Sequence, residues 1–139
     1  MSKTDVVEEV VSRINAASFS LTPASVVADF AVTKDEDPVL SDPEVYCWIA
    51  QSNYERIGRC EWENTFGLAV GVRAYCKHSD NTKLTQLLDF TEELADLFQT
   101  WTSVNGYSLF AITEDLPFDI SFLYESNQFQ QVTLLTMRK

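Results

Sequence analysis

The first hydrophobic pattern in the chain has helical spacing. Val6, Val7, Val10, Val11 and Ile14 recur every three or four positions, with Asp5, Glu8, Glu9, Ser12 and Arg13 between them. This predicts an amphipathic helix over 4–17. Ser2 with Asp5 three residues on is a start signal, and an acid in the first turn suits the helix dipole. Valines make poor isolated helices, so this one must dock on something apolar. From Ser25 the period drops to two, with Val26, Ala28, Phe30 and Val32 on one side and Val27, Asp29, Ala31 and Thr33 on the other; that predicts a half-buried strand. Residues 34–44 carry two prolines and five acids and predict an exposed acidic loop.

Strand formers return at 45–51, a polar turn is expected around Ser52–Glu55, and a long strand spans Thr65–Cys76. In that strand Phe66, Leu68, Val70, Val72 and Ala74 form one face. Gly67, Ala69, Gly71, Arg73 and Tyr75 form the other, and its small residues predict close approach of a helix or a neighbouring chain. The widest apolar stripe is helical, from Thr82 to Trp101: Leu84, Leu87, Leu88, Leu94, Ala95, Leu97, Phe98 and Trp101, with Asp89, Glu92, Glu93 and Asp96 opposite. Asn105-Gly106 has turn chemistry. Tyr107–Thr113 alternates again, and Phe122–Tyr124 with Phe129–Arg138 predict a closing strand or strand pair. Strands bunched in sequence around one long helix predict an α+β domain: an antiparallel sheet with an N-terminal helix and one long helix packed on one face.

Composition narrows the partners. At 139 residues a single domain over 1–139 is expected, with a 1–17 N-terminal helix and 34–44 as its exposed acidic loop. Its 10 Lys and Arg against 21 Asp and Glu give −11. That charge, with scattered basic residues, argues against specific binding to nucleic acid or to an anionic membrane. No stretch approaches the roughly 20 apolar residues of a membrane span, and the first residues lack a secretory signal pattern, so a soluble, intracellularly made domain is expected.

Catalytic patterns are missing from the sequence. His78 is the single histidine and reads as a solvated turn residue. Gly58, Gly67, Gly71 and Gly106 fit no phosphate-binding loop. Asp35, Asp37 and Val39 have the spacing of the first calcium-loop ligands, but Leu40 stands where glycine is needed and Cys47 near the closing acid. Cys47, Cys60 and Cys76 form no CxxC pair, lie in apolar stretches, and read as buried thiols. Glu92, Glu93 and Asp96 read as a solvated helix face. The expectation is no enzyme, no cofactor and no metal.

The order of elements resembles the tail terminator (tail completion or neck) proteins of long-tailed bacteriophages. The matching stretches are Ala24–Thr33 with the loop ending Asp42-Pro43-Glu44, then Val45–Gln51, then Arg56–Val72 as charged turn and long strand. Leu84–Trp101 matches the following helix, and Phe129–Lys139 the closing strand with its basic end. The resemblance implies a structural virion protein in the tail or neck, assembled in the host cytoplasm. It would form a ring of itself, commonly a hexamer, capping the tail tube and meeting both tail tube protein and a head-proximal neck protein. DNA would pass through without specific binding. Asp35, Glu36, Asp37, Asp42 and Glu44 are then candidates for a channel-facing acidic loop. Val6, Val10, Ile14, Arg56, Arg59 and Arg138 are candidate subunit or partner contacts, the first three packing either on their own sheet or on a neighbour's. The alternative from composition alone is a small acidic adaptor or inhibitor module that binds a basic protein. An enzyme using His78 or the acidic helix is a remote third.

Overall fold

A computed structural model of the chain describes residues 2–30, 40–114 and 120–139. Helix α1 (Lys3–Ala16) opens on the expected signal: the Ser2 side chain accepts from the Asp5 backbone N–H, and the Asp5 carboxylate accepts from the Ser2 backbone N–H. Hydrogen bonding of the Asp5 carboxylate to Ser2, its side chain first and its backbone N–H second, holds that carboxyl below the ordinary range. Strands β1 (Ser25–Ala28), β2 (Glu44–Arg56) and β3 (Trp62–Tyr75) follow. Helix α2 (Asn81–Gln99), strands β4 (Ser103–Val104) and β5 (Tyr107–Thr113), helix α3 (Ile120–Ser126) and strand β6 (Gln128–Arg138) complete the fold.

The six strands form one sheet in the order β1-β2-β3-β6-β5-β4, curled into a half-barrel. The α+β class stands, but the sheet is mixed, because β1 runs parallel to β2, with Val26 opposite Val45 and Ala28 opposite Cys47. Side-chain alternation cannot distinguish parallel from antiparallel neighbours, so the sequence pattern was silent here. Register places Val45 and Cys47 of β2, Phe66 to Ala74 in alternation on β3, and Phe129, Leu135 and Met137 of β6 on one face. Val6, Val7, Val10 and Ile14 of α1 and Leu87, Phe90, Leu94 and Phe98 of α2 are buried in the same cluster. Docking supplies what the valine-rich α1 lacks in intrinsic propensity.

Two expected elements are corrected. The Ser52–Glu55 turn is instead the continuation of β2 past a register shift between Ile49 and Gln51, and the chain reverses only at 57–61. There both faces of the strand meet water, so polar residues mark exposure instead of a turn. Phe122–Tyr124 lies in α3, where Leu123 is buried; a short aromatic run fits either period. The Asn105-Gly106 turn is as expected, with φ of 50° and 85°, and joins β4 to β5.

The small-residue face of β3 is occupied from within. An added Cβ on Gly71 would lie 2.7 Å from Tyr46 Cζ and 3.0 Å from Trp48 Cζ3, rings that stack on each other at 5.2 Å. The close approach expected for a helix or a neighbour is made by β2's own aromatics. Gly71→Ala is therefore expected to cost about 1–3 kcal/mol through overpacking, read as a lower urea midpoint at unchanged slope.

Candidate assembly surfaces

Beta pairing leaves an arm. Strand β6 ends opposite Thr65, with Lys139 N–H donating to the Asn64 carbonyl at 3.0 Å, while β2 and β3 continue to Arg56 and Trp62. Its tip is closed by Ile57 and Gly58 N–H donating to the Glu61 carbonyl. Residues 50–57 are all exposed, and Tyr54, Ile57 and Trp62 are 60 %, 60 % and 56 % accessible. The register gives the arm two unlike faces. Tyr54, Arg56 and Trp62 lie on the helix side, and Glu55 and Glu63 stand opposite each other on the reverse. Arg56 stacks on Trp62 at 5.1 Å. Lys3 braces the arm's root, donating to Tyr54 Oη at 2.7 Å and Ser52 Oγ at 2.8 Å. Of the expected contact residues, Arg56 and Arg59 therefore sit exposed on this arm. Arg138, at the end of β6, pairs with Glu63 at 2.7 Å and lies 4.3 Å over the exposed Phe110 ring.

The opposite side of the sheet is also open. Strand β4 covers only Tyr107 and Ser108 of β5, so among the described residues the outer edge of Phe110–Thr113 has no paired strand. A groove of about 700 Å³ runs between this edge and the C-terminal half of α2, walled by Phe98, Trp101, Leu109 and Ile112. It meets a cleft of about 270 Å³ at Ala95 and Glu114, where Glu92, Thr91 and Gln131 join the lining. Gln131 is buried, and its Oε1 has no hydrogen-bond partner. A buried acceptor left without a donor carries a desolvation penalty that a donor from outside removes.

The acidic candidates divide. Asp35, Glu36 and Asp37 lie outside the described residues. Asp42 is exposed. Glu44 is a correction: it opens β2, is 5 % accessible, and accepts from Arg73 Nε at 2.7 Å across the strand pair. A carboxylate held by a buried guanidinium is part of the sheet and not of a channel-facing loop. Val6, Val10 and Ile14 are corrected too. They are buried against their own sheet and offer a partner nothing.

Other expected sites read as follows. His78 is exposed, with Nδ1 3.1 Å from Asn127 Oδ1 and its ring 4.8 Å from Tyr124, so it tethers a turn as well as meeting solvent. Glu93 accepts from the Ser20 N–H and hydroxyl, the latter at 2.6 Å, fixing the α1–β1 connection to α2; Glu92 and Asp96 are exposed. Cys47 and Cys76 are buried as expected, but Cys60 is exposed: it lies at the arm's tip between the charged, exposed Arg59 and Glu61, where no core forms. Burial pushes the Cys47 thiol up to about 12 and raises Cys76 as well, with the Asp80 charge adding to the effect. With a thiol reagent at neutral pH, Cys60 is expected to react in the native chain, and Cys47 and Cys76 only after denaturation.

Among the described residues no three His, Cys, Asp or Glu side chains gather in a group able to hold a metal ion, and no helix is long and apolar enough to cross a membrane. The arm's aromatics and the β5 groove were missed at the level of sequence. Ser52, Tyr54 and Arg56 keep two-residue spacing to the end of β2, and that continued alternation was the available signal. Compared with known proteins, the chain matches no family model and no curated sequence.

Proposed function

We propose that this chain is a structural assembly protein, a tail terminator or neck ring of a long-tailed bacteriophage, working through contact surfaces and without catalysis. The single observation that supports this reading most is the presence, among the described residues, of two different open strand edges on one sheet: the protruding β2 side of the arm and the β5 edge beside its groove. A heterologous interface needs two unlike patches on each copy, and a suitable rotation between copies closes it into a ring. Monomeric proteins blunt such edges, so a long exposed arm next to a bare edge favours joining over isolation. The tail assignment itself rests on the order of elements and on the acidic balance, under which DNA would be repelled from the ring's lining.

Light scattering coupled to gel filtration, with negative-stain microscopy and a tube-capping assay, tests this. Rings, and tail-tube polymers of the same phage that stop growing when the chain is added, are expected. A chain that neither self-associates nor binds tube ends, but captures a basic protein with steep salt dependence, is the acidic module instead. Neutralising Asp35, Glu36 and Asp37 together is expected to leave folding intact while altering association or DNA passage.

A further inference from the structure

We infer that the arm of one copy seats in the α2–β5 groove of the next. The inference rests on the ring reading and names its interface. Strand directions agree with it. In the order β1-β2-β3-β6-β5-β4, β2 and β5 point in opposite senses, because β2–β3, β3–β6 and β6–β5 are each antiparallel. A second copy placed side by side in the same orientation therefore brings its β2 edge antiparallel to the β5 edge, the ordinary geometry of strand addition. Such a continuation keeps the helix side on the helix side. At equal height residues 48–51 would face the free β5 edge, so the second copy is staggered along the strands until Tyr54 and Arg56 come level with Phe110–Thr113; the arm face carrying Tyr54, Arg56 and Trp62 then lies beneath the neighbour's α2, where the groove is.

The chemistry of the two surfaces matches. The groove offers an apolar wall at Phe98, Leu109 and Ile112, then acceptors at Glu114, Glu92 and the unpartnered Gln131 Oε1. Among the described residues no Lys or Arg lines it, and the guanidiniums of Arg13 and Arg138, which touch the ring walls at Trp101 and Phe110, are engaged with Glu9 and Glu63. An occupant must bring apolar bulk and a cationic donor together. The arm brings Trp62, Ile57 and Tyr54 with Arg56 and Arg59, two of the ten cations in a chain of net charge −11, while its acids Glu55 and Glu63 stand on the reverse face and Glu61 in the tip turn. Aromatic and arginine side chains are also the residue types that carry interface energy. A planar guanidinium satisfies a carboxylate and an orphaned amide oxygen at once.

Cys60 at the tip serves as a native probe. Gln99→Cys and Glu92→Cys place a second thiol at either end of the groove, and Glu8→Cys places one on the exposed side of α1 as a control. With a short bis-maleimide at high chain concentration, at least one groove variant is expected to give ladders of linked chains. The control and the groove variants lacking Cys60 (Cys60→Ser) are expected to give none. Arg56→Glu with Arg59→Glu is expected to weaken self-association at least tenfold. Mixing that variant with a Glu92→Arg, Glu114→Arg chain is expected to restore it. Assembly without groove cross-links, or with the reversed arm unaffected, overturns the arm-in-groove interface and leaves the ring reading standing. A chain that stays monomeric at hundreds of micromolar overturns the inference. The tube-capping assay then decides separately whether the ring reading falls with it. Occupation of the groove by tube protein while the arm stays unlinked overturns the inference as well.

Discussion

Leu94→Asp is expected to leave the chain unfolded at room temperature. Leu94 lies on the inner face of α2, 2 % accessible, in the cluster that holds Leu87, Phe90 and Phe98 against the sheet. Shortening a leucine at such a site costs about 2–5 kcal/mol through lost burial and a cavity. Aspartate adds the desolvation of a carboxylate, and the buried polar groups of the described core offer it no cation, since Arg73 is on the other face of the sheet and held by Glu44. The sum approaches or exceeds the roughly 5–15 kcal/mol that stabilises a domain of this size. Circular dichroism with thermal melting checks it. A cooperative transition near the wild-type midpoint contradicts the placement of α2 on the core.

The second large effect is expected at the buried ion pair. Arg73→Met removes the guanidinium that faces Glu44 at 2.7 Å, with the two side chains 1 % and 6 % accessible. A carboxylate left buried without its cation costs about 3–5 kcal/mol, more than the pair itself contributes, because desolvation of the survivor is uncompensated. Adding Glu44→Leu to Arg73→Met is expected to recover a large part of the loss. Urea unfolding of the two single variants and the double variant reads the coupling directly. Additive losses show that the two charges do not depend on each other. Mutation of Asp42, exposed two residues earlier, is expected to move stability by no more than about 0.5 kcal/mol, which separates the two acids that the sequence pattern grouped together.

What could be read from the sequence follows from how far each element senses one interface. Helix α1 and helix α2 each bury a single stripe, so their periodicity survived intact and their ends fell within about two residues of expectation. From Phe66 to Ala74 strand β3 alternates in side-chain type, because there its helix side is uniformly apolar and its reverse side carries Gly67, Ala69, Gly71 and Arg73. The arm was hidden for the converse reason. Past Ile49 the β2 strand is wet on both faces, so its polar residues imitated a turn although Tyr54, Arg56 and Trp62 still kept register. Glu44 was hidden by its surroundings, since a run of acids and prolines marks exposure on average and only Arg73, 29 positions later, makes this one an exception.

The amino-acid pattern by itself determined the α+β class, both amphipathic helices with their inward faces, the β4–β5 turn at Asn105-Gly106, and a strongly acidic surface. These depend on neighbours within a few residues, where spacing and backbone preference act alone. Only the tertiary structure decided the parallel pairing of β1, the union of Glu44 with Arg73, and the burial of Val6, Val10 and Ile14 within their own core. It also decided that an arm and a groove stand at opposite sides of one curled sheet. Those features come from residues brought together across long stretches of chain, and the free energy that selects them, shared burial and charge pairing, exists only once the strands are in register.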